Sequence, residues 1–263
     1  MNDITRELRT LEWVREESLN AAGNLKRFVA TKTALQIVTV ESLTAGMISK
    51  TLIDVPRYGA ALYGGFIVYD TDAKRQMVNV LTKGVYSEKT ALEMATGALQ
   101  STRATLAIAV TGDAMPDVFN LDALGVVYIA VAVQFNNIIH AQTMTLETCT
   151  AIPELQTLCN QWKRLRRDEF PAAQIVAMTA DIIRMYTVAT ACRFALQFIQ
   201  NLKIDLQGKN FGVAKELYDQ ECHSSKPLYK HLEIEAPFCN PKDESHVQQP
   251  RRRSARRKIQ RYP

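Results

Sequence analysis

The chain has 263 residues, 47% hydrophobic and 22% charged, the balance of an ordinary globular protein able to bury a sizeable core. Net charge is +5, but seven of the 32 basic side chains fall within residues 251–261, leaving 25 basic and 27 acidic groups over residues 1–250. That body is mildly acidic, so a fold with a generally basic nucleic-acid-binding surface is excluded and any such role is confined to the C-terminal segment.

Met1 to Glu7 carry no apolar h-region, and no uninterrupted apolar run reaches the length of a bilayer span. A cytoplasmic protein without a membrane partner is expected. The cysteines Cys149, Cys159, Cys192, Cys222 and Cys239 are odd in number and form no C-x-x-C pair, so free or buried thiols are expected rather than a disulfide framework.

In chain order, residues 3–29 predict an amphipathic helix, with Leu8, Leu11, Ala22, Leu25 and Val29 on one face. Residues 36–40 are short and β-branched, a buried-strand pattern that runs into Glu41-Ser42-Leu43-Thr44-Ala45-Gly46 and then a helix from Met47 to Val55. Phe66–Tyr69, introduced by Gly64-Gly65, predicts the second strand. A helix from about Asp72 follows, then one opened by Ser87 as N-cap. Residues 105–110 and 125–133 predict strands, the latter pairing with residues 138–146 across Phe135-Asn136-Asn137. Helices over 151–166 and 172–200 close the body. Strands alternating with helices, ending in a hairpin, predict an α/β fold: a three-layer α/β/α sandwich with a mixed sheet. The domain is expected to occupy residues 1–200, followed by an irregular extension over 201–239 and a basic disordered segment over 240–263.

Three polar groups stand at the strand ends. Ser42 sits where a strand meets a helix, Tyr69 closes the second strand, and Lys74 lies in the first turn of the next helix. A serine becomes a nucleophile beside a base, and a lysine serves when burial keeps it partly neutral. A tyrosine hydroxyl can orient either group, and amides opening the Ser42 helix can hold an oxyanion or phosphate. The same residues read equally as an N-cap, a core aromatic and a solvated charge.

The wording around them resembles the CinA C-terminal family. Val40 to Gly46 is similar to A-E-S-C-T-G-G, and Phe66 to Lys74 to F-V-T-Y-S-N-E-A-K. Val85 to Glu88 is similar to A-V-S-E, Ala109 to Asp117 to A-V-T-G-I-A-G-P-D, and Gly125 to Ala130 to G-T-V-Y-I-A. The last helix, with Arg184 and Thr187-Val188-Ala189, also resembles that of the family, after an insertion around 136–170. The resemblance implies deamidation of nicotinamide mononucleotide or a related pyridine nucleotide by Ser42, Lys74 and Tyr69. Glu41, Thr44, Gly46, Thr111 and Gly112 would line the substrate, with no cofactor or metal, in a homo-oligomer.

Several positions depart from the pattern. Leu43 replaces Cys, Ala45 replaces Gly, and Met115, Val118 and Phe119 stand where the family has glycines, so the turn and pocket are expected to be crowded or reshaped. Cys222, His223, His231, Cys239 and His246 cluster without finger spacing, which reads as chance rather than zinc. Arg251, Arg252, Arg253, Arg256, Arg257 and Lys258 offer a polyanion or nucleic-acid contact. Two readings stay open: an amidohydrolase, and a catalytically silent scaffold or nucleic-acid-associated protein acting through that segment.

Overall fold

The computed structural model describes residues 3–115, 121–162, 173–202 and 230–235. Seven α-helices and six strands are present among them, in the order α1 (Asp3–Lys32), β1 (Ile37–Glu41), α2 (Met47–Asp54), β2 (Leu62–Ile67), α3 (Thr71–Val78), α4 (Glu88–Ser101), β3 (Leu106–Gly112), β4 (Val126–Phe135), β5 (Ile138–Glu147), α5 (Thr148–Ala151), α6 (Pro153–Trp162), α7 (Ala173–Asn201) and β6 (Lys230–Glu235). The strands form one mixed sheet ordered β2-β1-β3-β4-β5-β6. β1 runs parallel to β2 and β3, and the rest are antiparallel. The three-layer α/β/α architecture follows.

Period-two alternation sorts the core into two layers. Leu106, Ile108 and Val110 of β3, with Val127, Ile129, Val131 and Val133 of β4, face α1, α2 and α7. Ala107, Ala109, Ala130 and Ala132 face α4 on the other side, with Val38 and Val40 of β1. Small side chains there let α4 settle close to the sheet, while the branched ones fill the wider gap under the two long helices. Ser87 caps α4 as its position predicts, its hydroxyl accepting from the Thr90 amide at 3.0 Å. The β4–β5 hairpin turns on Asn136 and Asn137, both at positive φ (46° and 65°).

Several expectations are corrected. β2 spans Leu62–Ile67 and includes the glycine pair that was read as its entry turn. The helix expected over 151–166 is broken at Ile152, because Pro153 cannot continue α5 and instead opens α6. Across that break a disulfide joins Cys149 to Cys159 over a Cα–Cα distance of 6.2 Å, where unpaired thiols were expected. Within the extension expected to be irregular, Lys230–Glu235 adds β6 to the edge of β5. Among the described helices, α7 is long and apolar enough to cross a membrane by length and composition, although Asp181, Arg184 and Arg193 interrupt its apolar residues. Its buried residues Val188, Cys192, Ala195 and Phe198 belong to the core shared with α1 and the sheet. The basic residues Arg251 to Lys258, and Val118, Phe119, Cys222, His223, Cys239 and His246, lie outside the described residues.

Candidate functional site

β1 leaves on one side through α2 to β2, whereas its other neighbour β3 leads away to β4. Between such oppositely departing neighbours an open α/β sheet has its crevice, at the carboxyl ends of the strands. Ser42 and Thr111 stand on either side of it. The Ser42 amide donates to Val110 O at 3.1 Å, extending the β1–β3 pairing by one residue. By strand parity both side chains lie on the α3/α4 face, continuing Val38 and Val40 on β1 and Ala107 and Ala109 on β3.

The turn after Ser42 passes through two left-handed residues, Ala45 (φ 51°) and Gly46 (φ 95°), before α2 begins. Gly46 is the N-cap residue but offers no side chain. The cap comes from Glu41, which is fully buried: Oε2 accepts from the Ile48 amide at 2.9 Å and Oε1 from the Ser49 amide at 2.9 Å. Thr44 Oγ1 (2.8 Å), Thr39 Oγ1 (3.0 Å) and Ser49 Oγ (3.0 Å) donate to the same carboxylate. A carboxylate at this helix end meets the positive pole of the dipole and takes amides that a cap would otherwise bond. Glu41, Thr44 and Gly46, expected to line the substrate, build the turn that presents Ser42. The Ile48 and Ser49 amides, expected to be open to an oxyanion, are occupied by Glu41.

Glu41 lies opposite Ser42 in parity, toward α7, where the buried Cys192 is its neighbour. Burial pushes the Cys192 thiol up to about 12, and the negative charge of Glu41 adds to the rise. From the same helix Arg184 donates through Nε to Leu43 O at 3.0 Å and through Nη1 to Asp181 at 3.1 Å. Arg184 thereby ties α7 to the serine turn. It went unselected as a site residue because its partner lies 141 positions away. Leu43, which replaces a family cysteine, points into the core below α7 and does not crowd Ser42.

Asp70 caps α3, accepting from the Asp72 amide at 2.7 Å, and Lys74 lies one turn in. Lys74 is only 1% exposed, and Ser42 3%. Lys74 Nζ donates to Thr111 Oγ1 at 3.4 Å, and Thr111 donates in turn to Val85 O at 2.9 Å. Burial lowers the Lys74 ammonium to about 8, with the Asp70 charge opposing the shift. The Tyr86 ring centroid lies 5.6 Å from Nζ. Ser42, Thr111 and Lys74 are thus brought to one face at one crevice.

Tyr69 does not share their burial. It follows the buried Val68 and is 77% exposed, because the alternation that buries Val68 turns its neighbour outward. Gly112, also expected at the substrate, has a structural reason for its identity: a Cβ there would collide with Val126 O and lie 2.8 Å from Val127 Cα, where β3 crosses closest to β4. Met115 is exposed beyond the end of β3, its amide bonded to Asp113 at 3.0 Å.

The fold agrees with what the chain is similar to. A solved structure of the competence/damage inducible protein CihA from Agrobacterium tumefaciens superposes with a TM-score of 0.50 and 29% identity, over 68% of this chain and 96% of that one. The nicotinamide-nucleotide amidohydrolase PncC of Escherichia coli is 37% identical over 86 residues, 31% of this chain and 52% of that protein. A CinA-like protein of Leptospira borgpetersenii is 36% identical over 121 residues, 44% of this chain and 28% of that one. The chain spans between about a quarter and a half of these two relatives. Residues 21–158, just over half the sequence, match the CinA C-terminal domain, and the chain belongs to that family.

Proposed function

We propose that the domain is an amidohydrolase acting on the carboxamide of nicotinamide mononucleotide or a related pyridine nucleotide. The observation that carries this reading is a buried lysine, lowered to about 8, bonded to the threonine beside a buried serine. At pH 7 about one Lys74 in ten is neutral, enough to accept a proton. Its similarity to a protein named nicotinamide-nucleotide amidohydrolase supports the choice of substrate.

Ser42 Oγ attacks the carboxamide carbon and its proton passes to Lys74, with Thr111 holding Nζ in place. Collapse of the tetrahedral intermediate breaks the C–N bond as Lys74 returns the proton to the departing nitrogen, releasing ammonia. Water, deprotonated by Lys74, then cleaves the Ser42 ester to give the acid mononucleotide, and Lys74 returns that proton to Ser42 Oγ. Tyr69, being exposed, is assigned to the substrate rather than to the proton transfer between the two buried groups.

Ammonia release from nicotinamide mononucleotide tests the reading. Ser42→Ala and Lys74→Ala should each lower turnover by at least about a thousandfold, and the double variant hardly further, because the two act as one unit. Full activity in Ser42→Ala would remove the nucleophile. Absence of turnover in the wild type would favour the second reading, a silent scaffold acting through the basic residues 251–261, whose concentrated charge is its one supporting observation.

A further inference from the structure

Tyr86 occupies a position where the family pattern A-V-S-E carries a valine. It is held on both sides: Val85 O accepts the Thr111 hydroxyl, and Ser87 caps α4. The backbone that carries the ring is thus fixed beside Lys74, the group over which the ring lies. It is also 43% exposed, so part of the ring beside Lys74 stays open to solvent.

We infer that Tyr86 is a specificity-determining residue, its ring walling Lys74 off from water and offering its exposed surface to the planar, electron-poor ring of a nucleotide ligand. Its role toward substrate rests on the amidohydrolase reading; its role as a wall does not. A phenol ring reaches farther than a valine and presents a negative face. That face attracts an ammonium on one side and a pyridinium on the other. The groups acting on Lys74 are Asp70 at the cap of its own helix, the Thr111 hydroxyl from β3 and the Tyr86 ring from the segment before α4.

Two measurements on the full chain test this in wild type, Tyr86→Phe and Tyr86→Val. In the first, Lys74 is labelled with limiting acetic anhydride across a pH series and quantified by mass spectrometry, with no ligand present. Wild type and Tyr86→Phe should titrate alike, and in Tyr86→Val the midpoint should rise toward 10.5, because desolvation is the larger effect on Lys74 and regained hydration outweighs the lost attraction of the ring. An unchanged or lower midpoint in Tyr86→Val overturns the wall.

In the second, calorimetry compares nicotinamide mononucleotide with ribose 5-phosphate, which lacks the base. Tyr86→Val should lose about threefold to tenfold in affinity for the mononucleotide alone, and Tyr86→Phe should lose none. Equal losses for both ligands, or none for either, overturn stacking. A wild type that binds no mononucleotide, while Tyr86→Val raises the labelling midpoint, overturns the amidohydrolase reading and the stacking with it, and leaves the wall standing.

Discussion

Glu41 and Lys26 hold opposite ends of α2. The Glu41 carboxylate takes the amides of Ile48 and Ser49, and Lys26 Nζ, from α1, donates to the carbonyls of Leu52 at 2.6 Å and Val55 at 2.8 Å. The negative group sits at the positive helix pole and the positive group at the negative pole, both buried. An eight-residue helix is too short to persist by propensity, so these two side chains replace the stability that length would give. The serine turn is therefore fixed from beneath before any ligand arrives.

Glu41→Gln keeps the shape but turns one acceptor into a donor facing donors. It should destabilise the fold by about 2–3 kcal/mol in urea denaturation and should lower activity in proportion to misplacement of Ser42. A Glu41→Gln protein as stable as wild type would show that the charge at this cap is dispensable.

Lys74 sets a pH dependence of known sign. Its pKa is lowered in the fold, so its ammonium opposes folding fully below about 8 and ceases to do so by 10.5, where both states are neutral. Lys74→Met should therefore be more stable than wild type at pH 7, by about 1 kcal/mol or more, with the gain shrinking between pH 8 and 10.5. Turnover by wild type should rise with pH through about 8, since the neutral amine is the base. Thermal unfolding at several pH values and a pH–rate profile check the two halves.

Ala45 keeps the left-handed conformation that a glycine would hold without strain. An L-residue there costs about 1–2 kcal/mol, partly offset by the smaller entropy of its unfolded chain. Its side chain is exposed, so nothing is lost by removing the methyl group. Ala45→Gly should raise stability by about 0.5–1 kcal/mol, seen as a Tm a few degrees higher. A lower Tm would mean that the turn does not need positive φ.

The basic segment predicts a separable activity. Full-length protein should bind RNA or DNA with affinity falling steeply with salt and little sequence preference, and removal of residues 250–263 should abolish binding without loss of deamidation. Fluorescence anisotropy at two salt concentrations, with ammonia release in parallel, decides it. Equal affinity in both proteins would assign binding elsewhere.

Local chemistry was legible and long-range contact was not. Ser87 and the Asn136-Asn137 turn bond or bend within a few residues, so their element boundaries could be placed from sequence. β2 was misplaced because Gly64-Gly65 resembles a turn. A Cβ on Gly65 would collide with the hydroxyls of Ser49 and Thr39, so this glycine reflects the approach of another strand and helix, which no window of sequence contains. Ser42 and Lys74 were singled out by their places at a strand end and a first helical turn, and by their motifs. Glu41 was expected to touch substrate because a motif places residues side by side without saying which way each faces. Tyr69 is turned outward where its motif places it beside a buried valine. The Cys149–Cys159 bond could not be seen because the two cysteines, ten positions apart, were placed on either side of the start of a single helix rather than on two.

Glu41 and Ser42 are adjacent in the chain and point to opposite faces of the sheet, one to support and one to react. A substitution at either can be tested alone, but an insertion or deletion of a single residue within β1 exchanges their directions together. It would send the serine into the layer under α7 and the carboxylate toward Lys74. The site can thus change by point replacement, as it has at Leu43, Ala45 and Tyr86, while the length of this strand admits no drift at all.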